Sequence, residues 1–75
     1  MAEKKELDAR GLVCPMPIIK LSKAIKEVEA GGHLTVYADD PAFESDIITW
    51  CQKVGHTLVE FKQEGTDFVA LIEKR

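Results

Sequence analysis

Cysteine is scarce in this chain, with two residues in 75, Cys14 and Cys51. They form neither a Cys-x-x-Cys redox pair nor a tetrahedral metal set, and a reducing compartment disfavours a structural disulfide between them. At least one thiol is therefore expected to serve chemistry or packing. Long apolar runs are also missing. Nothing approaches the roughly 18 residues of a membrane span, and Met1–Glu6 carries charge where a signal peptide needs an apolar core. The expected location is the cytoplasm, with no membrane contact. An excess of basic charge is absent as well: the net charge is −3 and the pI about 5.3. Non-specific nucleic-acid affinity comes mainly from neutralising phosphates, so no direct nucleic-acid partner is expected. With three prolines and five glycines, fibrous and low-complexity classes are excluded.

What remains is an ordinary globular composition, 45% hydrophobic and 31% charged. At this length one domain, 1–75, is expected, near the size where folding buries only about 60% of the chain's surface. Residues Lys5 to Ala9 alternate around Leu7 as a short strand, broken by Arg10-Gly11. From Pro15 to about Ala30, Ile18, Leu21, Ile25 and Val28 form a helical stripe, ended by Gly31-Gly32. His33 to Asp39 is a strand with Leu34, Val36 and Ala38 on one face and Thr35 and Tyr37 on the other. Asp40-Pro41 opens a second helix, with Asp as cap and Pro at the first position. Phe43, Ile47, Cys51 and Val54 line its buried face, and Gly55 closes it. Thr57–Lys62 and Phe68–Glu73 are strands joined by a hairpin at Glu64-Gly65-Thr66-Asp67.

This order, β-α-β-α-β-β, predicts an α/β (α+β) two-layer sandwich. A chain too short to cover two sheet faces packs both helices on one side of a mixed four-stranded sheet. The polar alternates Thr35, Tyr37, Glu60 and Lys62 then face solvent.

The chemistry concentrates at Cys14-Pro15-Met16-Pro17. A residue before proline is pushed toward extended conformations, which sets Cys14 at the N-cap of the first helix. Pro15 and Pro17 stiffen the first turn, where a missing N–H costs little. A thiol there feels the positive end of the helix dipole and the free first-turn N–H groups, so its thiolate is favoured. Arg10 and Lys20 add to this if they reach it. No acid or histidine lies within a few residues to act as general base, so the thiol suits carrying a group better than turning over a small substrate. Arg10, Met16, Lys20 and Lys23 are the expected docking residues: a basic surface on an acidic protein steers acidic partners.

The stretch Leu7-Asp-Ala-Arg-Gly-Leu-Val-Cys-Pro-Met-Pro17, with Ala38-Asp-Asp-Pro-Ala42 and Asp46-Ile47 downstream, resembles the TusA-like sulfur-carrier family over nearly the whole chain. The resemblance implies that Cys14 accepts sulfane sulfur from a cysteine desulfurase or rhodanese, holds it as a persulfide and passes it to an acceptor protein. No metal or organic cofactor is needed. Members serving transfer-RNA thiolation often have Glu where Met16 stands, which leaves the pathway open. Nothing demands more than a monomer.

Two rival functions compete with this one. A dithiol redox protein would use Cys14 with Cys51, and a regulatory or RNA-binding module would use no sulfur chemistry. Cys51, on the buried stripe beside Trp50, is expected to be an inert core thiol. His33 and His56 are expected at the solvent-facing sheet rim. Asp40 is explained by capping, Asp39 by solvation, and Trp50 by the core edge.

Overall fold

A computed structural model describes residues 4–13 and 15–75. Their elements are β1 (Lys4–Asp8), α1 (Met16–Ala24) continued by a 3-10 turn (Ile25–Glu27), β2 (His33–Ala38), α2 (Phe43–Val54), β3 (Thr57–Glu64) and β4 (Asp67–Glu73). The strands lie in the order β1-β2-β4-β3. β1 runs parallel to β2, and both β2 and β3 run antiparallel to β4, which makes the sheet mixed, as expected.

Register sorts the side chains into two faces. Leu7 pairs with Val36, Val36 with Ala70, and Ala70 with Phe61, a single apolar row across all four strands. The neighbouring row, Glu6, Thr35, Leu71 and Glu60, points the other way. Both helices cover the apolar face. Leu21 and Ile25 after α1 begins, and Phe43, Ile47 and Cys51 on α2, are buried with Leu34, Val36, Ala38, Ala70 and Ile72 of the sheet. Full burial of one such large side chain is worth about 1.5–3 kcal/mol. Under α2, the ring of Phe43 lies 6.2 Å from Phe61 and 6.5 Å from Phe68, within the range where aromatic pairs attract beyond their buried area.

Several local expectations are corrected. The first helix is shorter than Pro15–Ala30, because its last turn tightens to 3-10 and Val28 leaves helical geometry at φ −92, ψ 134. Val28 still reaches the core, at 1% exposure. The chain reverses only afterwards, where Gly32 N–H bonds to Glu29 C=O at 2.8 Å and Gly31 takes φ +86. The second helix begins at Phe43, not at Pro41. Asp40 closes a turn instead, its carboxylate accepting Ala42 N–H at 3.3 Å and its carbonyl accepting Phe43 N–H at 2.9 Å. Ala42 is left as the N-cap. Val54 keeps the angular position of the stripe but is 47% exposed, at the last residue of α2. Gly55 closes that helix as expected, in the left-handed region at φ +82 with its N–H on Cys51 C=O at 2.9 Å. The hairpin turn is Gly65-Thr66, and only Gly65 has positive φ, as a II′ turn requires.

Two antiparallel steps leave β3 parallel to β1 and β2, so both crossover helices run back against these strands. Their N-termini therefore emerge at the same end of the sandwich, the end that carries the Cys-Pro-Met-Pro motif.

Candidate functional site

The approach to the motif is held at several points. Ala9 is buried, and its N–H bonds to Tyr37 C=O at 2.7 Å, extending the β1–β2 pairing by one residue. Arg10 folds back on Asp8, with Nε 2.9 Å from Oδ1 and the second guanidinium nitrogen 3.1 Å from Oδ2. It also reaches Asp67 at 3.5 Å and lies 5.8 Å over the Tyr37 ring. This pairing holds the Asp8 carboxyl down near 2, and Lys20 lies close enough to help. The same partners raise the Arg10 guanidinium further, and Glu6, 3.3 Å from the hydroxyl, raises Tyr37. Arg10 is thus occupied by acids and an aromatic face of its own chain.

Gly11, at φ +83, turns the backbone, and its N–H donates to Asp39 Oδ1 at 2.9 Å. Asp39 is therefore not merely solvated: it fastens the loop before the motif to the end of β2. Leu12 then packs on the core, and Val13 is 69% exposed.

Cys14 lies outside the described residues. On its far side Pro15 occupies the N-cap of α1, at φ −95 and ψ 11, and Pro17 lies in the first turn. The helix thus starts one residue later than a cap at position 14 implies. The supply of first-turn donors also differs from expectation. Met16 N–H is taken by Val13 C=O at 2.8 Å, and the two prolines have none. An anion at this end is favoured by the aligned peptides as a whole, reinforced by the absence of any acid in the first turn of α1. Pro17 is buried, whereas Met16 is 46% and Ile19 41% exposed. Lys20, Lys23 and Lys26 continue the exposed side of the same helix.

The second motif meets the first across the sandwich. Between α1 and α2 runs a groove of about 290 Å³ lined by Pro15, Ile18, Asp46, Thr49, Trp50 and Lys53. Sequence reasoning passed over Asp46, Thr49 and Lys53 as site residues and placed Trp50 at the core edge. The periodic signal was present, since 46, 49, 50 and 53 share one helix face, but which helix faces which is decided only by topology.

The other titratable candidates are accounted for. Cys51 is buried at 3% exposure, and burial pushes its thiol up to about 11. Neither histidine is simply at a wet rim. His56 is half-buried, accepts Arg75 N–H at 3.2 Å, and lies tilted against Trp50 with ring centroids 5.5 Å apart. Burial, assisted by Lys74, lowers its pKa. His33 is half-buried, its Nδ1 unpartnered among the described residues. Among the described residues no three His, Cys, Asp or Glu side chains gather as metal ligands, and no helix is long and apolar enough to cross a membrane.

Two helices on one face of a mixed four-stranded sheet define an α+β fold that matches a crystal structure of a SirA-like protein from Desulfitobacterium hafniense. The TM-score is 0.78 at 28% identity, over 92% of this chain and 95% of that one. The family model described as Sulfurtransferase TusA matches residues 5–74, and the chain belongs to that family. Similar proteins include YrkI of Bacillus subtilis, 42% identical over 74 residues, 99% of either chain. Another is the protein named Sulfur carrier protein TusA in Pseudomonas syringae pv. syringae, 41% identical over 70 residues, 93% of this chain and 83% of that one.

Proposed function

We propose that this chain is a sulfur carrier: Cys14 accepts sulfane sulfur from a cysteine desulfurase or rhodanese, holds it as a persulfide, and relays it to an acceptor protein. The observation that carries the reading is the start of α1, with no acid in its own first turn, stiffened by Pro15 and Pro17 and approached by a loop pinned through Asp39 and Gly11. A thiolate and a terminal persulfide sulfur are both anions, so one electrostatic environment serves the empty and the loaded states. Membership of the family, and the relative named as a sulfur carrier, support it.

The chemistry needs no metal or organic cofactor, because the transferred sulfur is held covalently. It calls for a reducing compartment such as the cytoplasm, where the thiol stays free. Alternating partners suits a monomer with its reactive corner open. Met16, Lys20 and Lys23 offer a mixed apolar and basic surface for docking, while Arg10 serves the loop through Asp8 and Asp67. Cys51 is a poor second thiol for a dithiol enzyme, being buried and protonated at neutral pH.

The test is intact-mass analysis, without reductant, after incubation with a desulfurase and free cysteine. Wild type and Cys51→Ser should gain a sulfur adduct that dithiothreitol removes, and Cys14→Ser should gain none. An adduct retained by Cys14→Ser overturns the assignment.

A further inference from the structure

At the end of the sandwich opposite the motif, the residues after β4 tie the two helix exits together. Lys74 is bonded to the loop that follows α1: its C=O accepts Gly31 N–H at 2.8 Å, and its N–H donates to Gly32 C=O at 2.9 Å. Arg75 is held from the other helix. Its N–H donates to Nδ1 of His56 at 3.2 Å, and His56 directly follows Gly55, which closes α2. We propose that His56 makes this junction pH-sensitive: its neutral ring holds Arg75, and its protonated ring releases Arg75 and stays on Trp50.

The two partners of the ring call for opposite charge states. A nitrogen that accepts an N–H carries no hydrogen of its own, so the neutral ring keeps its proton on Nε2. Protonation turns both nitrogens into donors, and Nδ1–H then faces the Arg75 N–H with no lone pair between them. That bond is lost. Trp50 responds the other way. Its ring lies tilted against His56 with centroids 5.5 Å apart, inside the roughly 6 Å over which an aromatic ring attracts a cation, and imidazolium is one. Trp50 also packs on the core, so the imidazole keeps its seat when Arg75 leaves.

The surroundings decide where the change falls. His56 is half-buried, and burial first, then the Lys74 cation, hold its pKa below the ordinary 6.5. From α2 it meets the uncharged Trp50, and Lys53 is the cation in the last turn of that helix. The acid nearest in register is Glu73, opposite Thr57 on the sheet face turned away from the helices. Unfolded histidine titrates near 6.5, so the stability that neutral His56 contributes is complete above that pH and declines as the pH falls toward the lower folded value. At neutral pH both helix exits are tied; in acid only that of α1 remains so, through Lys74. The device is remote from the Cys14 motif and does not depend on the carrier reading.

The experiment follows the His56 ring and the Arg75 amide by NMR from about pH 8 to about pH 5, a window that spans the ordinary histidine range. The chain has one tryptophan, so intrinsic emission reports Trp50 directly. Wild type is compared with Arg75→Gln, which keeps the N–H, with Arg75→Pro, which lacks it, and with His33→Gln, which removes the other histidine. In wild type and His33→Gln the ring, the amide and the emission should change together, with one midpoint below 6.5. The ring midpoint of Arg75→Pro should lie above that of Arg75→Gln by about half to one pH unit, because a neutral acceptor has lost its donor. The proposal is overturned if the amide and the ring titrate apart, if emission stays flat or follows His33 instead, if the two Arg75 variants share a midpoint, or if the wild-type midpoint is 6.5 or higher.

Discussion

Asp39 and Asp40 are adjacent carboxylates with separate structural duties. Asp39 holds Gly11 from 28 residues away in the chain, and Asp40 closes the turn that launches α2. Removing the first acceptor, as in Asp39→Ala, should lower stability by about 1 kcal/mol in urea unfolding, while Asp39→Asn keeps a carbonyl oxygen and loses less. Sulfur loading by polysulfide should fall with Asp39→Ala, because the loop before Cys14 loses its tether. Cys51 gives a second prediction at this scale. Its folded thiol, pushed up to about 11, stays protonated while the unfolded thiol ionises near 8.5. The stability it contributes is fully present below about pH 8.5 and declines as pH rises toward 11. The urea midpoint of wild type should therefore fall more steeply over that window than that of Cys51→Ala. Equal slopes would contradict the burial argument. The role of Cys51 was legible in sequence, on an apolar stripe, whereas Asp40 was read as the helix cap and closes the preceding turn instead, with Ala42 left as N-cap. The role of Asp39 was not legible, because its partner is brought to it only by the parallel pairing of β1 with β2.

At the scale of elements, the helices show what local pattern carries and where it stops. Gly55 takes φ +82 with nothing within 4 Å of the position a Cβ would occupy. Gly55→Ala should then cost about 1 kcal/mol from backbone strain alone, with no steric clash, measurable as a lowered thermal midpoint. Phe43 is the larger lever, fully buried beneath α2 against Phe61 and Phe68. Phe43→Ala should cost about 3–5 kcal/mol, a large fraction of the stability of so short a chain, and its far-UV circular dichroism should show substantial unfolding at 37 °C. The stripes Leu21-Ile25 and Phe43-Ile47-Cys51 were readable from spacing. The helix starts were displaced by one and two residues because each proline sits in the turn before its helix: Pro15 at the N-cap, Pro41 inside the turn closed by Asp40. Proline fits either place, and the sequence pattern does not distinguish them.

At the scale of the molecule, two parallel crossovers and a hairpin bring both helix N-termini to one end, with Cys-Pro-Met-Pro on one and Asp46 on the other. The two-layer sandwich followed from element order and chain length. The motif marked the thiol, and the charge pattern marked the lysines beside it. The α1–α2 groove stayed hidden, because it depends on the lateral placement of two helices that no periodicity encodes. The central claim concerns a single sulfur atom on a single residue, and the chain suits a direct reading of it. Trypsin separates the cysteines onto peptides Gly11–Lys20 and Glu27–Lys53. After loading by desulfurase and cysteine, with free thiols and persulfides alkylated before digestion, the added sulfur should appear on Gly11–Lys20 alone. Sulfur on Glu27–Lys53, or the two peptides joined by a disulfide, would contradict the account.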